Sequence, residues 1–299
     1  MTTISVAVPR KGRPLEAVLE RLATRADAAA VADDVVSTLR YEKAVAKGET
    51  TPDRDLYDRL AAYSDTDDPT VPEYTLLRDD REGMPRRIVF DSVTVPIDGR
   101  RIRLVGREEP FRALRKHEFG LGFDSADLVL EEVVRLDEDP LTGLAAINDR
   151  IDPLDTDVRV VGGLGDTVHH TLLATPAVAE RIGGSLDRSF VDAYEGPLCI
   201  APRLERLVEA VLGTDALEGV AFAYPDEGRE EEAAIADTGL GVYLTVTGST
   251  AREYGLLVGE HLFDSETVLL ENRPEVDAGD EWARDLLAGD AQARARPSG

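Results

Sequence analysis

"YLTVTGSTAREYGL", residues 243–256, sets an apolar run, a hydroxyl-rich glycine turn and a polar helical segment in succession. The run from Val242 to Val246 has the composition of a strand. Thr247, Gly248, Ser249 and Thr250 then offer three hydroxyls and a row of backbone N–H groups where a helix begins. A helix N-terminus carries partial positive charge, and glycine lets the backbone approach a phosphate closely. The same residues could serve as an ordinary Ser or Thr cap. They are not a Walker-type loop, because no Gly-Lys-Ser/Thr is present. Strand, turn and helix in this order mark an α/β chain, and the rest of the sequence repeats the pattern.

"TISVAVP", residues 3–9, reads as a first strand and runs into a basic glycine loop. Residues 15–48 are helical in composition and predict two helices. Residues 49–87 are polar and proline-containing, and read as an insertion with limited structure of its own. "RRIVFDSVTVPIDGRRIRLVG" predicts a hairpin turning at Asp98-Gly99. Further on, strands are expected at "VRVVGGLG", "HHTLLATP", "PLCIA" and "GVAFAYP", with helices between them. Such alternation predicts mainly parallel sheets. The change of context near residue 195 suggests two lobes. The first spans 1–194 plus 251–273, with an insertion near 45–95. The second spans 195–250, and 274–299 form a polar extension.

The chain has 299 residues and a formal charge of −25, from 59 acidic and 34 basic side chains. Such a charge repels a nucleic-acid backbone, so no nucleic-acid partner is expected. The acids are spread along the chain, as on a surface adapted to a salt-rich cytoplasm. A negatively charged substrate would then need a locally basic pocket. No apolar run is long enough to span a membrane and no secretory signal is present, so a cytoplasmic protein without a membrane partner is expected. The single cysteine, Cys199, lies in the apolar "PLCIA" and reads as core. The four histidines show no metal-binding spacing, and no protein metal ligand is expected.

Two further stretches could carry chemistry. In Pro9–Arg13, Lys11 and Arg13 flank Gly12 just beyond the first strand, so two cations could approach one anion. Open α/β sheets bind ligands at that end of their strands. In "GLGFDSADLVLEE", Asp127 and Glu131 are one helical turn apart and share a face. Paired carboxylates can hold Mg2+ or act as a base, but a solvated acidic face is the plainer expectation. "GGLG", residues 162–165, lacks the full dinucleotide-binding spacing.

Taken in order, these motifs resemble the ATP phosphoribosyltransferases that open histidine biosynthesis. Pro9-Arg10-Lys11-Gly12-Arg13 is similar to the family's Pro-x-Lys-Gly-Arg loop. "FGLGFDSADLVLEE" is similar to its Asp-Leu-Gly-Ile-x-Gly-x-Asp strand and acidic helix, with Asp127 and Glu131 in register. Leu164–Pro176 and "CIAPRLERLVEAVLG" follow it as well. Thr247–Leu256 is similar to its Thr-Gly-x-Thr-Leu-x-x-x-Gly-Leu signature. The resemblance covers most of residues 3–273 outside the insertion. It implies a two-lobe, periplasmic-binding-protein-like α/β fold with the ligand in the cleft between lobes. It implies transfer of phosphoribosyl from phosphoribosyl pyrophosphate to ATP or a related purine nucleotide, with Mg2+. Thr247, Gly248, Ser249 and Thr250 would hold the ribose 5-phosphate. Lys11, Gly12 and Arg13 would face pyrophosphate or triphosphate oxygens, and Asp127 would also line the substrate site. A homo-oligomer is implied, with or without a regulatory subunit; the chain ends soon after the matched region, which leaves no room for the regulatory domain of the long family form. Tyr243 stands where the family keeps an acid, and this suggests the alternative of a non-catalytic nucleotide or phosphosugar sensor.

Overall fold

The computed structural model describes residues 2–26, 28–78 and 86–288. Elements are numbered along the chain. Contacts divide it into two units, Met1–Asp124, Asp157–Asp166, Thr267–Gly299 and Ser125–Thr156, Thr167–Glu266. Each is built on its own mixed sheet.

In the first unit, β1 (Thr3–Pro9) leads into α1 (Gly12–Ala26) and α2 (Ala29–Ala46). Next come α3 (Leu56–Tyr63), β2 (Glu73–Arg78), β3 (Arg86–Ile97), β4 (Arg100–Arg107), α4 (Pro110–Arg115) and β5 (Leu121–Ser125). The second unit opens with α5 (Ala126–Glu132). The chain returns to the first for β6 (Val158–Gly163), and again at its end for β12 (Thr267–Asn272) and α11 (Ala278–Ala288). The sheet order is β2-β3-β4-β1-β5-β12-β6. β1 is parallel to β4 and β5, whereas β2–β3, β3–β4 and β12–β6 are antiparallel. Val6, Ala7 and Val8 are all fully buried, so this central strand shows a continuous apolar run rather than an alternation. Leu15, Val18, Leu19 and Leu22 form the buried stripe of α1, at the spacing of one helix face. They share one core with Leu104, Phe123 and, from α11, Leu287. Each such side chain contributes about 1.5–3 kcal/mol through burial.

The second unit continues with β7 (Val168–Ala174), α6 (Pro176–Ile182), α7 (Arg188–Asp192), β8 (Gly196–Cys199) and α8 (Glu205–Leu212). It ends with β9 (Val220–Ala223), α9 (Glu231–Thr238), β10 (Leu240–Thr245), α10 (Ser249–Glu253) and β11 (Leu257–Ser265). Its sheet order is β11-β7-β10-β8-β9. β7 runs antiparallel to both β10 and β11, while β8 is parallel to β9 and β10. Cys199 is buried beside Leu173, Ile235 and Leu256, as the sequence suggested, and burial pushes its thiol pKa up.

Three features differ from the sequence reading. The sheets are mixed rather than mainly parallel, because hairpins and returning strands supply antiparallel edges. The division falls at 124/125 and 266/267, not at 195 and 250, because β7 pairs with β10 and β11. The segment read as lightly structured holds α3 and β2; residues 79–85 within it lie outside the described residues. Helix α3 was hard to read because its buried anchor is polar. Arg59 donates Nε to Glu42 Oε1 at 2.7 Å and Nη2 to Oε2 at 3.0 Å, and both side chains are buried. Tyr63 adds a hydroxyl bond to Glu42 at 2.9 Å, and Asp55 caps the helix. The hairpin stands where expected, with positive φ at Asp98 and Gly99. The polar end "AQARARPSG" lies outside the described residues.

Candidate functional site

In the first unit the chain leaves β1 at Pro9 and turns into α1 through Lys11 and Gly12. Gly12 has φ +79°, in the left-handed region, so a side chain here costs about 1–2 kcal/mol in backbone strain. Lys11, Gly12 and Arg13 line a cavity of about 770 Å³. Arg13 is already engaged: its Nη1 meets Asp166 Oδ2 at 2.6 Å and also the Asp166 carbonyl. Asp166 in turn accepts from Thr267 N at 2.8 Å and Thr267 Oγ1 at 2.7 Å. Arg13 therefore fixes the start of α1 to the Asp166 loop. The sequence alone offers Lys11 and Arg13 as two cations that could approach one anion across Gly12.

The other expected residues lie in the second unit. Thr247, Ser249 and Thr250 are exposed and Gly248 is buried. Gly248 sits at φ +67°, and an added Cβ would meet Val258 Cγ2 at 3.0 Å. Thr247 Oγ1 donates to Ser249 Oγ at 3.1 Å, and Arg252 Nη1 donates to the Thr247 carbonyl at 2.9 Å. The helix that follows has only five residues. Its dipole is correspondingly small, so what the turn could offer an anion is its hydroxyls and N–H groups.

Asp127 opens α5, where Ser125 caps the helix. Its Oδ1 lies 2.9 Å from Nε2 of the buried His170 on β7. Burial opposes its ionisation, but the His170 hydrogen bond and charge outweigh this and hold its carboxyl below the usual range. Glu131, one turn on, is not the solvated group expected from the sequence. Its Oε1 is buried without a hydrogen-bond partner among the described residues. Burial first, and then the nearby Asp127 charge, push its pKa to about 7 against the opposing charge of Arg203. A raised carboxyl pKa favours the fold below the ordinary value of 4.5 and weakens it as pH rises through about 7. Glu131→Gln is therefore expected to gain about 1–3 kcal/mol over the parent protein at pH 8 and little at pH 5. Thermal unfolding at both pH values checks this, and an equal change at both would contradict it.

Tyr243 lies on β10 opposite Thr171, half-buried. Burial and a hydrogen bond with the Glu231 carboxylate of α9 raise its phenol pKa well above the ordinary range. The sequence did not reveal this contact, because nothing in the spacing of residues 231 and 243 marks two elements that meet side by side. Nor did it group His169, His261 and Asp264. Their potential ligand atoms lie within 4.8 Å of one another, with His169 Nδ1 held by Asp264 at 2.6 Å. Among the described residues no helix is long and apolar enough to cross a membrane.

Several solved structures show likeness. The ATP phosphoribosyl transferase (HisG:HisZ) complex from Thermotoga maritima is 15% identical, with TM-score 0.43 and coverage of 95% of this chain and 94% of that one. YhfZ from Shigella flexneri is 10% identical, with TM-score 0.39 and coverage of 100% and 94%. The OxyR2 regulatory domain from Vibrio vulnificus is 14% identical, with TM-score 0.36 and coverage of 62% and 80%. No curated protein sequence matches the chain. The family described as halobacterial ATP phosphoribosyltransferase, in contrast, matches residues 1–297. With a match of that extent, the chain belongs to the halobacterial ATP phosphoribosyltransferase family.

Proposed function

We propose that the protein transfers the phosphoribosyl group of phosphoribosyl pyrophosphate to ATP or a related purine nucleotide. The family match over residues 1–297 carries this reading and supports a phosphoribosyltransferase-like role. In the proposed reaction the adenine N1 bonds to ribose C1 and pyrophosphate leaves. Such a reaction asks for positioning and charge neutralisation more than for covalent help from the protein. The hydroxyls and N–H groups of Thr247–Thr250 would hold the ribose 5-phosphate. Lys11, beside Gly12, would meet polyphosphate oxygens, with Arg13 holding the loop in place. Asp127, kept ionised by His170, would accept a hydrogen bond from a substrate hydroxyl.

Mg2+ neutralises polyphosphate oxygens when it is bound with such substrates. The donors present suit that ion. Glu131 keeps a buried carboxylate oxygen without a hydrogen-bond partner among the described residues, and hard oxygen donors are what Mg2+ takes. Glu131, with Asp127 a turn away, would hold it. The acid that the resembling enzymes keep ahead of the loop is also not wholly missing, since Tyr243 hydrogen-bonds Glu231. We propose that this pair serves the ribose side of the site. The dense negative charge fits a protein working in concentrated salt inside the cell, and the assembly is proposed as a homo-oligomer, with or without a regulatory subunit.

The test is pyrophosphate release from phosphoribosyl pyrophosphate, ATP and Mg2+, dependent on both organic substrates. A second reading, a nucleotide or phosphosugar sensor, is favoured by Tyr243 in place of the acid. Tight phosphoribosyl pyrophosphate binding without turnover would select it.

A further inference from the structure

Strand β7 is extended, so His169 and His170 point to opposite faces of the second sheet. His170 is buried and meets Asp127. His169 faces the other way, on a strand that lies between β10 and the edge strand β11. Its register partner on β11 is Asp264, whose Oδ1 lies 2.6 Å from His169 Nδ1. His261 joins them because β11 is irregular. Phe263 pairs with His170 and His261 with Thr171, which leaves Leu262 as an extra residue between two successive positions of β7. In a regular strand residues 264 and 262 would share a face, and 261 would lie on the other. The bulge turns Leu262 inward, where it is buried beside Phe263, and brings His261 out on the side of Asp264. The His261 ring then stacks on that of His169, with centroids 4.0 Å apart and planes 15° from parallel.

One ligand atom from each of the three side chains lies within 4.8 Å of the others. His169 is half-buried, and His261 and Asp264 are exposed. Two imidazoles and a carboxylate are the donor set of zinc-class ions, whereas Mg2+ takes oxygen donors. Bonds of about 2.0–2.2 Å in tetrahedral geometry set neighbouring donors about 3–3.5 Å apart. His169 and Asp264 are already that close. Stacked rings present parallel planes, so closing the group on an ion takes a turn of the His261 ring, which its exposure permits. Three protein ligands leave a fourth position, open here to water. The spacing of the histidines in the sequence shows no such site, because His169 and Asp264 are 95 positions apart.

We propose that His169, His261 and Asp264 bind a divalent ion of the zinc class, which fastens the edge strand β11 to β7. A bulge disrupts the ladder at an edge that has no neighbour on its outer side. An ion held by both strands replaces part of that lost pairing with a cross-link. The same strand carries Val258, which backs the turn at Gly248. The proposal depends neither on phosphoribosyl transfer nor on Mg2+.

The test is calorimetry of the untagged full-length protein with zinc chloride in excess Mg2+, which occupies the acidic surface without competing for imidazole. One zinc per chain is expected to bind. His261→Ala and Asp264→Asn are each expected to bind it at least tenfold more weakly. Both side chains are exposed, so the two variants should melt like the parent when metal-free. Saturating zinc is expected to raise the melting temperature of the parent and to leave that of His261→Ala unchanged. Equal zinc affinity in parent and His261→Ala overturns the proposal, as does zinc that Mg2+ displaces. Zinc binding lost in His117→Ala but kept in His261→Ala also overturns it, by placing the ion elsewhere. Absent transfer activity with variant-sensitive zinc binding removes the transfer reaction and leaves this site.

Discussion

Replacing Gly248 with Asp is expected to abolish binding of ribose 5-phosphate and of phosphoribosyl pyrophosphate. Two effects combine. The backbone at φ +67° and the 3.0 Å approach of a Cβ to Val258 strain the turn. Asp tolerates a left-handed conformation better than most residues, so the folding cost stays near 1 kcal/mol. The larger effect is electrostatic. A carboxylate set among Thr247, Ser249 and Thr250 meets the incoming phosphate with like charge, which costs several kcal/mol. Since 1.4 kcal/mol is tenfold in affinity, a loss of about 100-fold or more follows. Gly248→Ala separates the two effects, because it keeps the strain without the charge and should lose far less. Calorimetry with ribose 5-phosphate reads both variants, and unchanged affinity in the Asp variant would show the turn to be only a helix cap.

The largest stability effect is expected at Arg59. Removing it as Arg59→Met leaves the Glu42 carboxylate, 4% exposed, with the Tyr63 hydroxyl as its remaining bonded partner among the described residues. An uncompensated buried charge costs about 3–5 kcal/mol. Adding Glu42→Gln should restore most of that loss, since the charge itself then disappears. Denaturant unfolding of the two variants checks this. A loss below about 1 kcal/mol in Arg59→Met would mean that α3 contributes little to holding α2.

How far the sequence announces this molecule depends on what makes each element. Strand β1 is held by a continuous apolar run and helix α1 by apolar side chains at regular spacing, so their places are visible in the residue order. The Asp98-Gly99 hairpin is equally visible, because its turn demands positive φ. Helix α3 is held by an arginine, a glutamate and a tyrosine, and apolar periodicity does not detect such an anchor. The unit boundary escaped for a different reason. It depends on β7 pairing with β10 and β11, and pairing between distant strands leaves no local trace. The loop position of Lys11 and the left-handed turns at Gly12 and Gly248 were legible, because a loop beyond a strand and a glycine turn have backbone signatures. The Glu231–Tyr243 contact had no such signal, since tertiary packing alone brings the two side chains together.

The proposed reaction forms one bond, between a purine nitrogen of the acceptor and ribose C1. Mass spectrometry of the products from ATP, phosphoribosyl pyrophosphate and Mg2+ observes it directly. The expected result is one new nucleotide whose mass is the sum of the two substrates less pyrophosphate, formed together with pyrophosphate, absent when either substrate is omitted and absent with Gly248→Asp. Recovery of both substrates unchanged by a protein that binds phosphoribosyl pyrophosphate tightly would contradict the claim.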